Sequence, residues 1–112
     1  MMKLSYLPVN RENIEYRPDR LAITLAGQQV IFRVSWNPVA EAFFFDLFDN
    51  EGDYILAGRR IVYAQDMLEN ISDERIPDVR IIPFDPSGEA DQAEITFENF
   101  MNSVKPYITG DS

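Results

Sequence analysis

The stretch from Leu21 to Trp36 constrains this fold more than any other. Leu21, Ile23 and Leu25 alternate with Ala22, Thr24 and Ala26, and Val30, Phe32, Val34 and Trp36 alternate with Ile31, Arg33 and Ser35. A period of two puts each set on its own side of an extended chain, so both runs read as half-buried strands. Gly27 lies between them, and glycine accepts the positive φ that a tight reversal requires. An antiparallel hairpin is therefore predicted. Asn37-Pro38 ends it, because proline has no N–H to give to a ladder.

The rest of the chain continues in β character. Ala42 to Phe48 reads as a third strand with Phe43, Phe45 and Leu47 on one face and Phe44, Asp46 and Phe48 on the other. Aromatics on both faces predict cover on both sides, in a closed barrel, a sandwich or an interface. Asp49-Asn50-Glu51-Gly52-Asp53 is turn chemistry, and Tyr54 to Tyr63 resumes the β pattern, with Gly58 marking a bulge or a close backbone approach. Ala64 to Asn70 has helix-forming composition, and Met67, Leu68 and Ile71 are spaced to make a short lid. Asp78 to Phe84, bounded by prolines, reads as an edge strand. Thr96 to Met101 reads as a short turn or helix, followed by extended chain to Ile108.

The fold class expected is all-β and mainly antiparallel, a small barrel or sandwich of about six or seven strands with one or two short helical turns. At 112 residues the chain fits one domain, which buries roughly two-thirds of its unfolded surface. The expected divisions are an N-terminal arm over 1–20, a single β domain over 21–108 and a flexible tail over 109–112. From Asn10 to Arg20 the arm is polar and charged with isolated Ile14 and Tyr16.

Composition then excludes chemistries. The formal charge of −9 repels phosphate backbones and anionic headgroups, so neither nucleic acid nor membrane is an expected partner. Arg59-Arg60 is the one tight basic pair and reads as a solvated face. No cysteine and no histidine are present. Disulfides, thiolate and imidazole metal sites, and the commonest general base are absent with them. The serines fit no nucleophile elbow, and the glycines form no phosphate-cradling cluster. No apolar run reaches the roughly 20 residues that span a bilayer, and the first residues lack the apolar core of a signal peptide, so folding in a cytoplasm is expected.

Carboxylates remain. Asp46, Asp49, Glu51 and Asp53 lie close together, but the spacing lacks the glutamate a calcium loop needs at its twelfth position, and an ordinary hairpin turn is the reading adopted. Asp46 faces partly inward beside aromatics, where a buried carboxylate demands a partner and Arg33 on the neighbouring strand is a candidate; an exposed edge position for Asp46 is the alternative reading. The expectation is no enzyme: no catalytic, metal or cofactor-binding residues, and no cofactor. Aromatics beyond the needs of a core mark a protein interface. A second reading is a small carbohydrate- or peptide-binding β module using Trp36, Phe44 and Tyr54 as a platform.

The order of these signals carries a resemblance. Ile23-Thr24-Leu25-Ala26-Gly27-Gln28 is followed by Val30 to Trp36 with Asn37 directly after the tryptophan, then Phe45-Asp46-Leu47-Phe48-Asp49, Gly52, Gly58-Arg59, Asp66-Met67-Leu68, Ile76-Pro77 and Thr96-x-x-Asn99-Phe100. From Leu21 to Ile108 this resembles the cyanophage-type baseplate plug family of contractile-tailed phages and prophages. It departs in a longer charged arm, an inserted loop at Pro86 to Gln92 and Pro106 within the final strand. The resemblance implies a non-enzymatic, β-barrel-like structural subunit in or beside the central hub and spike. Its partners would be other tail and baseplate proteins, hub and spike among them, with self-association a further option. It would reside in the host cytoplasm during assembly and then in the virion tail baseplate. On that reading the arm, the Phe43 to Phe48 strand and the Ser87 to Gln92 loop meet partners, and the candidate interface residues are Phe44, Phe48, Tyr54, Tyr16 and Ile14.

Overall fold

The computed structural model describes residues 5–88 and 94–110. Seven antiparallel strands form two sheets: β1 (Ser5–Tyr6), β2 (Asp19–Leu25), β3 (Gln28–Asn37), β4 (Ala42–Asp49), β5 (Tyr54–Arg60), β6 (Arg80–Phe84) and β7 (Lys105–Thr109). The larger sheet has the order β2-β3-β4-β5 and the smaller β1-β7-β6. The architecture is all-β, in two sheets without a closed barrel.

The β2–β3 hairpin turns through Ala26 and Gly27, both at positive φ (49° and 80°). That pair of values defines the tight turn whose twist matches two right-twisted strands, and it sets Leu25 opposite Gln28. Register then places Leu21 against Phe32, Phe32 against Leu47, and Trp36 against Phe43. The alternating set that the sequence marks as one face thus becomes the core face of the sheet. Phe32, Val34, Phe43, Phe45 and Leu47 are all buried there, in one cluster with Leu7, Ile81 and Phe100 from the other side of the molecule. Each such side chain contributes about 1.5–3 kcal/mol by leaving water.

Residues 5–17, expected as part of an arm, supply this same core. Leu7, Val9 and Ile14 are 0%, 6% and 2% exposed. Two tethers bring them in: Leu7 donates to the Pro106 carbonyl, and Arg11 donates to the Glu98 carbonyl across the structure.

The helical expectation for Ala64 to Asn70 is corrected. Among the described residues there is no helix. Ala64 and Asn70 both take positive φ (63° and 60°), which stops a helix at each end. The N–H groups turn outward instead, from Ala64 to the Pro83 carbonyl and from Met67 to the Ile81 carbonyl. Asp66 Oδ1 accepts from both the Leu68 and Ile81 N–H groups. Met67 and Leu68 are still buried, so the segment does cover the core, as an irregular strap. Thr96 to Met101 makes a single turn: Thr96 and Asn99 bond reciprocally, Phe100 donates to the Thr96 carbonyl, and Met101 at φ 67° ends it. Pro106 fits in the central strand β7 because it stands opposite Pro83 and its carbonyl turns towards Leu7, so no β6–β7 bond is lost.

Candidate functional site

The inner face of the large sheet is filled, and its outer face is the surface on which the sequence-marked aromatics gather. On β4 the outer residues are Phe44, Asp46 and Phe48, paired in register with Ser35, Arg33 and Ile31 on β3. On the other side Phe44 meets Arg60 and Phe48 meets Tyr54 of β5. Arg20 and Ala22 lie beyond Arg33 and Ile31 on β2.

Arg33 organises this face. Its Nε donates to Asp46 Oδ2 at 2.9 Å and a terminal nitrogen donates to the Tyr54 hydroxyl at 2.9 Å. Its guanidinium stands 5.1 Å from the Phe48 ring centre, and that of Arg20 stands 5.8 Å from it, both within cation–π range. The hydrogen bond to Asp46, and next the one to Tyr54, raise the Arg33 pKa above its ordinary value. Asp46 Oδ1 is also taken, by the Gly58 N–H at 2.7 Å. Gly58 has φ 67°, and the β4–β5 register shifts next to Asp46, so the carboxylate holds a bulge in place. The Arg33–Asp46 pairing expected from the sequence is therefore present, with a bulge-fixing role that the sequence did not disclose.

The five candidate interface residues are placed very differently. Tyr16 is 83% exposed and Tyr54 55%. Phe44 is half-buried on the open face. Phe48 is only 7% exposed, roofed by Tyr54, whose ring centre is 4.5 Å away, and by the two guanidinium groups. Ile14 lies in the core and presents no surface: the turn over residues 11–17 packs it inward against the cluster that holds Leu7 and Val9. Of the expected contact loop Ser87 to Gln92, residues 89–92 lie outside the described residues, as do 111 and 112 of the expected tail.

The alternative aromatic platform does not assemble. Trp36 belongs to the core side of β3, 4.8 Å from Phe43 and 5.0 Å from Phe97, with Phe100 in the same stack 4.4 Å from Phe43. Phe44 and Tyr54 project from the opposite side of the sheet. No single ligand touches all three.

The acidic turn is engaged internally. Asp49 Oδ1 accepts from the Glu51 and Asp53 N–H groups, and Oδ2 accepts from Arg75 at 2.8 Å. Arg75 also forks onto Asp73, Nε to Oδ1 at 3.0 Å and a terminal nitrogen to Oδ2 at 2.7 Å. This fork pulls the Asp73 pKa down to about 2. The backbone N–H of Asp53, with Arg75 after it, holds Asp49 below the usual carboxylate range. Glu51 and Asp53 do lie near Asp49, yet the geometry is that of a turn clamped to the 73–76 loop. Arg59 is likewise spent, donating to the Met67 and Glu69 carbonyls, whereas the Arg60 side chain makes no hydrogen bond or ion pair among the described residues.

Among the described residues, then, the class defined is a small two-sheet β domain with an arginine-framed aromatic outer face and no nucleophile paired with a base. The family follows from the sequence as a whole: the chain belongs to the family of the cyanophage Pam3 baseplate plug gp18, whose model matches residues 4–111. No curated protein matches it. Membership makes the chain a baseplate plug protein, a structural component of the phage tail baseplate that associates with other baseplate proteins.

Proposed function

We propose that the chain is a non-enzymatic subunit that joins the hub and spike proteins of the baseplate through the outer face of its large sheet. It folds in the host cytoplasm and is built into the tail afterwards. One observation carries this reading: Phe44 and Tyr54 stand on a sheet face that no other layer of the described chain covers, while the inner face is packed. Aromatic and arginine side chains together are the residues that dominate buried contacts between proteins. The arginines at this face, Arg20, Arg33 and Arg60, fit a partner that brings carboxylates around an apolar spot, although the chain as a whole carries −9 and fits basic neighbours elsewhere.

The test is incorporation. Mass spectrometry of purified tail particles, with gold-labelled antibody under the electron microscope, is expected to find the wild-type protein at the baseplate end. A Phe44→Ala, Tyr54→Ala double variant that folds normally is expected to be depleted from particles, because truncating contact hot spots costs on the order of 2 kcal/mol or more in binding. Wild-type protein absent from intact particles yet abundant in the lysate overturns the reading.

A further inference from the structure

A sheet edge exposes a row of unpaired N–H and C=O groups, and folded proteins usually block it. Two edges of this molecule are blocked. Along β6 the outward carbonyl of Ile81 accepts from Met67, its N–H donates to Asp66, the carbonyl of Pro83 accepts from Ala64, and the N–H of Asp85 donates to the Tyr63 hydroxyl. Along β5 the register shifts twice against β4 and Gly58 is bulged. Strand β2 has neither device. It runs for 7 residues without proline, glycine, lysine or a register shift.

The outward groups of β2 can be identified. In a two-residue hairpin the residues flanking the turn exchange both of their hydrogen bonds, so Leu25 bonds Gln28, and Ile23, Leu21 and Asp19 follow at every second position. Arg20, Ala22 and Thr24 therefore direct N–H and C=O away from the sheet. Their side chains lie on its exposed outer face.

We propose that this edge pairs with the same edge of a second copy, antiparallel, about a two-fold axis through Ala22. In that register all three outward residues of each strand meet outward residues of the other, whereas a shift of two residues pairs only two of them. Ala22 faces Ala22 of the second copy, and Arg20 faces Thr24, so all three outward-directed residues fall at positions that exchange both bonds. A shift of one residue sets outward groups against groups already bonded to β3. On the outer face no like charges are opposed. On the inner face Leu21, half-buried in one copy, meets Ile23 of the other, closing the apolar strip over the joint. The two large sheets become one of eight strands, an isologous joint of the kind closed dimers use.

The inference stands apart from the hub and spike reading, and the full-length protein in isolation tests it. Sedimentation equilibrium is expected to show a reversible dimer. Ala22→Pro removes the central outward N–H without touching a β2–β3 bond, and proline is tolerated at such edge positions. Ala22→Lys instead opposes two ammonium groups across the axis. Each is expected to weaken dimerisation by about tenfold or more while leaving circular dichroism unchanged. The register is checked by cysteines, of which the chain has none. Ala22→Cys is expected to form a disulfide-linked dimer on mild oxidation, since facing Cα atoms in such a pair lie about 5.5 Å apart. Thr24→Cys alone is expected not to, but mixed with Arg20→Cys it is. A wild-type monomer at every concentration, or a dimer indifferent to both Ala22→Pro and Ala22→Lys, overturns the proposal. A monomer whose Ala22→Pro form fails to enter particles overturns it too, and hands the edge to a strand of another baseplate protein.

Discussion

Strand β4 has two faces of nearly equal apolarity and opposite fate. Phe43, Phe45 and Leu47 point into the molecule and are 0%, 1% and 0% exposed. Phe44, Asp46 and Phe48 point out: among the described residues Arg33 pairs with Asp46, and Arg20, Arg33 and Tyr54 stand over the Phe48 ring, while Phe44 stays half-buried. Both faces satisfy the same period-two rule, so composition alone does not tell core from surface. What separates them is the kind of cover: hydrocarbon packing on one side, charged planar groups on the other. Guanidinium groups shield a ring while remaining hydrated themselves, and such a surface tolerates both water and a partner.

The largest effect that tests this contrast is on stability. Phe45→Ala is expected to cost about 3–5 kcal/mol in chemical denaturation, because it opens a cavity between Phe32 and Leu47. Phe44→Ala, one residue away, is expected to cost about 1 kcal/mol or less, the range of a half-exposed position. Equal losses would show that both faces are core and would remove the basis for an outer contact surface.

Asp46 comes next. It is the polar residue on the outer side of β4, and Arg33 and the Gly58 bulge share it. Asp46→Ala is expected to destabilise by about 1–3 kcal/mol, since the Gly58 N–H loses its acceptor and Arg33 loses its anion. Asp46→Asn keeps an oxygen for Gly58 and is expected to recover part of the loss. Should the alanine variant be neutral, the arginine frame stands without its carboxylate, and the two faces differ by less than the hydrogen bonds imply.

Much of this contrast was legible in the sequence, and the gaps have physical causes. Alternation from Leu21 to Phe48 disclosed three strands, their turn and the Arg33–Asp46 neighbours, because strand pairing across short turns is a local matter. Leu7, Val9 and Ile14 were not legible as core. They follow no period, and their burial depends on Pro106, Glu98 and Phe100, some ninety residues away in the chain. Trp36 misled for a related reason: its face is fixed by parity with Phe32 and Val34, but beside Phe43 it is covered by Phe97, which the distant turn at Thr96 to Phe100 supplies. The 64–70 segment shows propensity losing to capping. Its donors are worth more on the bare edge of β6 than in one isolated helical turn.

The smallest effect is expected where β4 ends, at Asp49, which the exposed Arg75 clamp ties to Asp73. Solvent screens this clamp, so it resembles the outer face in contributing little to stability, and its mark is a titration. With Asp73 lowered to about 2 in the folded chain, the favourable contribution is full above the ordinary carboxylate range near pH 4 and is lost as pH falls through about 2. Arg75→Gln is expected to move the Asp73 midpoint, followed by carboxyl carbon NMR, up towards the ordinary value. Asp49 is expected to move less, because the Asp53 N–H is the larger of its supports and stays in place. Any stability difference between wild type and variant is then expected to shrink from pH 4 to pH 2 and vanish below. A difference that persists in acid would mean Arg75 acts by packing its stem, as an inner-face residue does, and would place the end of β4 with the core.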